Sequence, residues 1–251
     1  ASLARLDARR ATAAGVGREV SATSTNTSPC GVSGNVASTL NDSDNSGTLT
    51  VGDSVTVVYN ACHDSATSSV SGSITASVTS ISDTGFVATA SLDNVQATDQ
   101  GVSSSVSGRF TLSETDTSLQ SDEVLTIGST GLAMSVQSTA YADTITFSDG
   151  MRLETLYDNG NGDTSLRMDG GLTSSKLGGA LTLTTVQPVV QHASDAYPSS
   201  GQVRAVGAAN STLLMTVLNA VQVQLQLDAD GNGSYESTTT TDWSTLIGQQ
   251  G

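Results

Sequence analysis

Residues 213–241 read LLMTVLNAVQVQLQLDADGNGSYESTTTT. Leu213, Met215 and Val217 alternate with small or polar neighbours, and Val221, Val223, Leu225 and Leu227 do the same. A Gly/Asn/Asp turn then leads into Tyr235 and a threonine run. Apolar residues at a period of two, bounded by turn residues, predict antiparallel strands with one greasy face.

The same alternation recurs upstream. Ile74, Ala76 and Val78 form one run, Phe86, Ala88, Ala90 and Leu92 the next, and Val102, Val106, Phe110 and Leu112 a third. Further runs follow at Leu125 and Ile127, Leu132 to Val136, Ile145 and Phe147, Met151 and Leu153, Leu166 and Met168, and Leu181 and Leu183. Asp, Gly, Asn and Ser separate them at hairpin spacing. About a dozen strands are too many for a flat open sheet. The expected fold is therefore all-β, an antiparallel meander curling into an open barrel or a two-layer sandwich. An N-terminal arm, helical or extended, occupies residues 1–28, and one β-rich domain fills 29–251.

Composition narrows the function. Of the 251 residues only 36% are hydrophobic and 4% aromatic, so Val, Leu, Ile and Ala must build a thin apolar layer. The net charge of −15 opposes phosphate backbones and anionic membrane surfaces, so nucleic acid is not an expected partner. Lys176 is the single lysine, and a Lys-poor, acidic, Ser/Thr/Gly-rich chain fits a secreted or surface-exposed protein. No apolar run approaches the roughly 20 residues of a transmembrane helix. Ala1 is not an initiator methionine, and a removed signal peptide or pro-segment is the expectation. Cys30 and Cys62 are the only cysteines, and an even count in an exported chain predicts one disulfide.

Charge is unevenly placed. Residues 1–20 hold Arg5, Arg9, Arg10 and Arg18 against Asp7 and Glu19, a net +2 that leaves −17 on the remainder. Leu3, Leu6, Val16 and Val20 add apolar weight to this arm. A basic arm in front of an acidic body predicts self-assembly, with Leu3, Leu6, Arg9, Arg10, Val16, Arg18 and Val20 as the contact residues.

Two turns are rich in oxygen ligands. Asp42, Asp44, Ser46, Gly47, Thr48 and Asp53 fall at positions 1, 3, 5, 6, 7 and 12 of a loop that resembles the calcium loop of EF-hand and dockerin modules. Asp228, Asp230, Asn232, Gly233, Ser234 and Glu236 take positions 1, 3, 5, 6, 7 and 9 of a second one, where Thr239 replaces the ligand at position 12. Each loop is read either as a calcium site or as an Asx-rich hairpin turn. Calcium is the one cofactor the chain suggests.

Three segments carry a wider resemblance: 41–62, NDSDNSGTLTVGDSVTVVYNAC; 174–190, SSKLGGALTLTTVQPVV; and 194–246, with Tyr197-Pro198, DADGNGSYE and Trp243. Together they resemble uncharacterised β-rich exported proteins and lipoproteins of Gram-negative bacteria. The resemblance implies export to the periplasm, cell surface or medium and a β-rich fold, and it brings no activity. The chain opens on ASLAR instead of a lipidated cysteine, so no lipid anchor is expected.

Catalytic signals are sparse. His63 and His192 are the only histidines, and no HExxH, GxSxG or P-loop pattern occurs. The expected protein is not an enzyme. Three classes follow: a subunit of an extracellular fibre or surface layer that polymerises through its N-terminal arm, a carrier of a lipid or other apolar ligand, and a calcium-stabilised surface binding module.

Overall fold

The computed structural model describes residues 23–248. The arm residues Leu3, Leu6, Arg9, Arg10, Val16, Arg18 and Val20 lie outside this range. One antiparallel sheet of fifteen strands contains almost everything described. Its first seven strands are β1 (Thr23–Pro29), β2 (Ser33–Asn41), β3 (Ser54–His63), β4 (Ser68–Ser82), β5 (Gly85–Asp99), β6 (Val102–Asp116) and β7 (Gln120–Gln137). They are followed by β8 (Ala142–Phe147), β9 (Arg152–Asp158), β10 (Thr164–Ser174), β11 (Gly179–Gln191), β12 (Ser200–Val206), β13 (Thr212–Val217), β14 (Gln222–Asp228) and β15 (Ser237–Asp242). A short helix, α1 (Trp243–Leu246), follows β15.

The expected meander is present, and its strands form one sheet instead of two. β1 pairs only with β2 and β15 only with β14, so the sheet is not closed. β8 and β9 lie end to end between β7 and β10 as one interrupted strand. Met151, expected inside a strand, plugs the interruption: it is buried, and its carbonyl accepts the Ile127 amide at 2.8 Å.

Some boundaries differ from the sequence reading. β1 begins at Thr23, so residues 23–28, grouped above with the arm, pair in the sheet. Leu49 and Val51, which have the same sequence parity as Val55 and Val57, sit exposed in the loop before β3. Alternation continued through them because the loop happens to carry apolar residues at the same parity.

Following cross-strand partners through the register separates two faces. One carries Leu40, Val55, Ala76, Ala90, Phe110 and Ile127 in a continuous row from β2 to β7. It continues through Leu166, Val203, Met215 and Leu225 on later strands. The other presents hydroxyls and amides, Ser103, Ser105, Ser107, Thr111, Ser113 and Thr115 along β6 and Gln222, Gln224 and Gln226 along β14. Alternate side chains of a strand point to opposite faces, so the sequence period writes this polarity directly. Most residues of both faces are half-buried, and Val223 is the one large side chain that is wholly buried among those described.

Val223 belongs to a buried apolar cluster with Val189, Val217 and Trp243, supported by Leu166, Tyr197, Val203, Met215 and Leu225. Trp243 stacks on Tyr197 with ring centroids 6.4 Å apart, and its indole N–H donates to the Pro198 carbonyl at 3.1 Å. The Tyr197-Pro198 and Trp243 segments of the resemblance thus meet at one corner of the sheet.

An oblique crease crosses the sheet. Gly72, Gly108, Gly170 and Gly201 have φ between +106° and +140°, and each stands opposite a bulge or break in the neighbouring strand. Bulges paired with such glycines bend strands and curve a sheet. The disulfide Cys30–Cys62, with Cα atoms 5.5 Å apart, ties the β1–β2 turn to β3 near the start of this line. Closing a loop with a sequence separation of 32 contributes about 3 to 4 kcal/mol in the chain-entropy model.

At Gly108 a Cβ would lie 2.7 Å from Leu132 Cα, besides the strain of φ +140°. Gly108→Ala is expected to destabilise by about 2 kcal/mol or more. Gly101→Ala, at a hairpin tip with φ +83° and open space around it, should cost only about 1 kcal/mol. Urea unfolding of both variants checks the crease, which predicts the larger loss at Gly108.

Candidate functional site

The loop between β2 and β3 brings Asp42, Asp44 and Asp53 together, with a carboxylate oxygen of each within 4.8 Å of the others. Asp42 and Asp53 are buried. The Ser46 amide donates to Asp42 Oδ1 and the Gly47 amide to Asp42 Oδ2, at 3.1 and 2.8 Å. Asp44 Oδ1 shares the Ser46 amide at 3.1 Å. The Ser46 hydroxyl donates to the Thr48 carbonyl at 3.0 Å.

The β14–β15 loop repeats this pattern. Asp228 is buried and takes the Asn232 amide at 3.2 Å and the Gly233 amide at 2.9 Å, while Asp230 Oδ1 shares the Asn232 amide at 3.1 Å. Asn232 Oδ1 accepts the Ser234 amide at 2.8 Å. Asp228, Asp230 and Glu236 form a second acidic group within 4.8 Å. In both loops the first Asp accepts amides four and five residues on, and the third residue accepts the same amide as the first.

Asp53 clamps its loop. Its Oδ1 accepts the Ser43 amide at 2.8 Å and its Oδ2 the Thr50 amide at 2.7 Å, and both serine and threonine hydroxyls add further bonds. The Ser43 and then the Thr50 amide lower the Asp53 pKa from its ordinary 3.8. The hydroxyl of Ser46, ahead of that of Thr50, lowers Asp44. Oxygen donors suited to a hard cation are therefore gathered in both loops, and the amides of each loop already hold part of their negative charge.

One buried carboxylate outside these loops has no counterpart in the sequence reading. Asp143 on β8 accepts the Ser174 and Ser175 hydroxyls at 3.0 and 2.8 Å and the Lys176 amide at 3.0 Å, pinning the β10–β11 turn. Burial raises its pKa, but these bonds, led by the Lys176 amide, bring it below the ordinary value. Lys176 Nζ stands 5.2 Å from the Tyr141 ring centroid. The partners lie 31 to 33 residues apart, a separation that no local motif reports.

The histidines fall apart. His63 follows Cys62, whose sulfur is bound in the disulfide. His192 Nδ1 meets Asp163 Oδ2 at 2.8 Å, joining the β9–β10 turn to the segment after β11. The bond to Asp163 raises the His192 pKa above 6.5.

A hollow of about 250 Å³ opens at the end of β6, β7, β9 and β10, lined by Glu114, Ser121, Asp122, Glu123, Thr155, Tyr157 and Thr164. Most of these side chains have the parity of the aliphatic face, so that face is concave here. Among the described residues no helix is long and apolar enough to cross a membrane. Compared with known protein families, curated proteins and solved structures, the chain matches none.

The shifted groups set a pH profile. Asp53 is lowered, so its contribution is complete above about pH 3.8 and disappears as pH falls through its folded value. His192 is raised, so its contribution is complete below 6.5 and disappears as pH rises through its folded value. Thermal melting should therefore show greatest stability between these limits. His192→Gln should flatten the alkaline slope and Asp53→Asn should soften the acid one; unchanged slopes would remove both assignments.

Proposed function

We propose that this protein is a non-enzymatic carrier, exported to the periplasm or surface of a Gram-negative cell, that holds the acyl chain of a lipid against its aliphatic face. The observation that carries this reading is the face itself, a continuous aliphatic surface on an open, creased single sheet. Patches beyond a few hundred Å² are rare on soluble monomers and mark binding surfaces. A curved sheet with a greasy concave side suits a long apolar ligand, and the disulfide suits an oxidising compartment.

A second reading, a fibre or surface-layer subunit that assembles with copies of itself, is favoured by the two unpaired edges. All seven residues of β1 are exposed, and β15 is a run of threonines interrupted by no charge before Asp242. Such edges accept further strands.

Calcium in the Asp42 and Asp228 loops would stabilise either version, with Asp42, Asp44, Asp53, Asp228, Asp230 and Glu236 as ligands. Melting in millimolar calcium should exceed melting in chelator by several degrees, and Asp42→Ala with Asp228→Ala should abolish the difference. Superimposable curves for the parent protein would discard calcium.

The carrier reading predicts that organic extraction of the purified protein releases lipid and that a fluorescent fatty acid binds. Leu213→Gln with Leu227→Gln, adjacent and half-exposed on the aliphatic face, should weaken the probe about five-fold or more with the sheet intact by circular dichroism. A lipid-free protein that ignores the probe and grows in light scattering would replace the carrier with the assembly reading. Thr238→Lys and Thr240→Lys on the β15 edge should then stop that growth.

A further inference from the structure

The two edge strands lack the devices that keep sheet edges apart. Natural edges are blunted by charged side chains, by proline or by bulges. β1 carries no charge, and its proline, Pro29, is its last residue; β15 carries one charge, Asp242, also at its last position. Neither the β1–β2 nor the β14–β15 ladder contains a register shift, although every ladder from β2 to β7 does. Two regular strands built mainly of threonine and serine thus stand at opposite ends of the sheet.

Strand direction makes these edges complementary. β8 and β9 share one place between β7 and β10, so the sheet has fourteen strand positions, and each neighbouring pair is antiparallel. The thirteen reversals between the first position and the last leave β1 and β15 running in opposite senses. A second copy placed beside the first with the same face forward therefore brings its β1 antiparallel to β15. Directly opposed residues share a face. On β15, Thr238 and Thr240 oppose Gln226 and Gln224 of the hydroxyl face, and on β1, Thr23, Thr25 and Thr27 have that same parity. Among the registers that keep both faces continuous, one pairs all six residues of β15 within β1: it sets Thr23 against Asp242, Thr25 against Thr240 and Thr27 against Thr238. Pro29 falls outside that ladder, where its missing N–H costs nothing.

We propose that copies of this protein join head to tail, β15 of one against β1 of the next, in this antiparallel register. The proposal rests on the assembly reading and specifies its junction. A single junction uses both edges, whereas two-fold pairing needs two separate self-complementary ones, β1 on β1 and β15 on β15. A head-to-tail contact that does not close on itself generates an open filament. The Thr25–Thr240 and Thr27–Thr238 pairs repeat across the junction the hydroxyl contacts that the sheet makes at Thr25–Thr39 and Thr56–Thr75, at 3.0 and 3.1 Å. Aliphatic faces of successive copies lie on one side of the filament, so the junction neither needs nor blocks a lipid.

Blocking one edge at a time tests the junction. Thr25→Lys/Thr27→Lys closes the β1 edge and Thr238→Lys/Thr240→Lys the β15 edge, each in the full-length chain and each shown folded by circular dichroism. Light scattering then follows the parent, each variant and their equimolar mixture at the concentration where the parent grows. The parent should grow without limit, and each variant alone should stay at the mass of one chain. The mixture should double in mass and stop, since only there does an intact β15 meet an intact β1. Dimers in either variant alone would mean two-fold pairing, and a mixture that stays monomeric would mean some other junction. Both results overturn the proposal and leave the assembly reading standing, whereas a parent that does not grow removes the two together.

Discussion

Everything in this structure depends on one constraint: a sheet whose side chains alternate between aliphatic and hydroxyl must keep one face from water while wetting the other. In a thin-cored chain with few aromatics, that cannot be met by a large packed interior, and among the described residues only Val223 of the large side chains is completely buried. The crease answers part of the demand. Glycines with positive φ on β4, β6, β10 and β12 meet bulges or a break in their neighbours, bending long strands without interrupting the meander. The Trp243 cluster and the disulfide secure the two ends of the bent surface, the one by apolar contact and the other covalently.

The fold class was legible because the signal is local. From Val55 to Leu227 the parity of apolar residues survives into the register, so neighbours such as Ala76 and Ala90 could be placed on one face before any pairing was known. β1 escaped because TSTNTSP has no apolar period, and it is ordered by its ladder to β2. The crease also escaped. A glycine in a strand reads as a weak point, and the bulge opposite it becomes visible only once the two strands are paired.

The acidic loops were legible for a different reason. Spacing that gathers oxygens for a cation also lets the first aspartate accept amides four and five residues later, and both loops do this. The loop geometry is compatible with both readings of the spacing, a calcium site and an Asx-rich turn, and does not decide between a metal and the amides themselves. Asp53 shows how the two uses overlap: at the position of a bidentate ligand, it spends both oxygens on Ser43 and Thr50. Asp143 was invisible beforehand, since its serine partners come from a hairpin more than thirty residues away.

Charge follows the same division as hydropathy, but with opposite signs on the two faces. Strand arginines stand among the hydroxyls, where Arg152 meets Glu154 at 2.9 Å and remains half-exposed. Glu114, Glu123 and Asp143 have the parity of the aliphatic face, where a carboxylate is costly to desolvate. Asp143 resolves this with hydroxyls and an amide supplied by the β10–β11 turn.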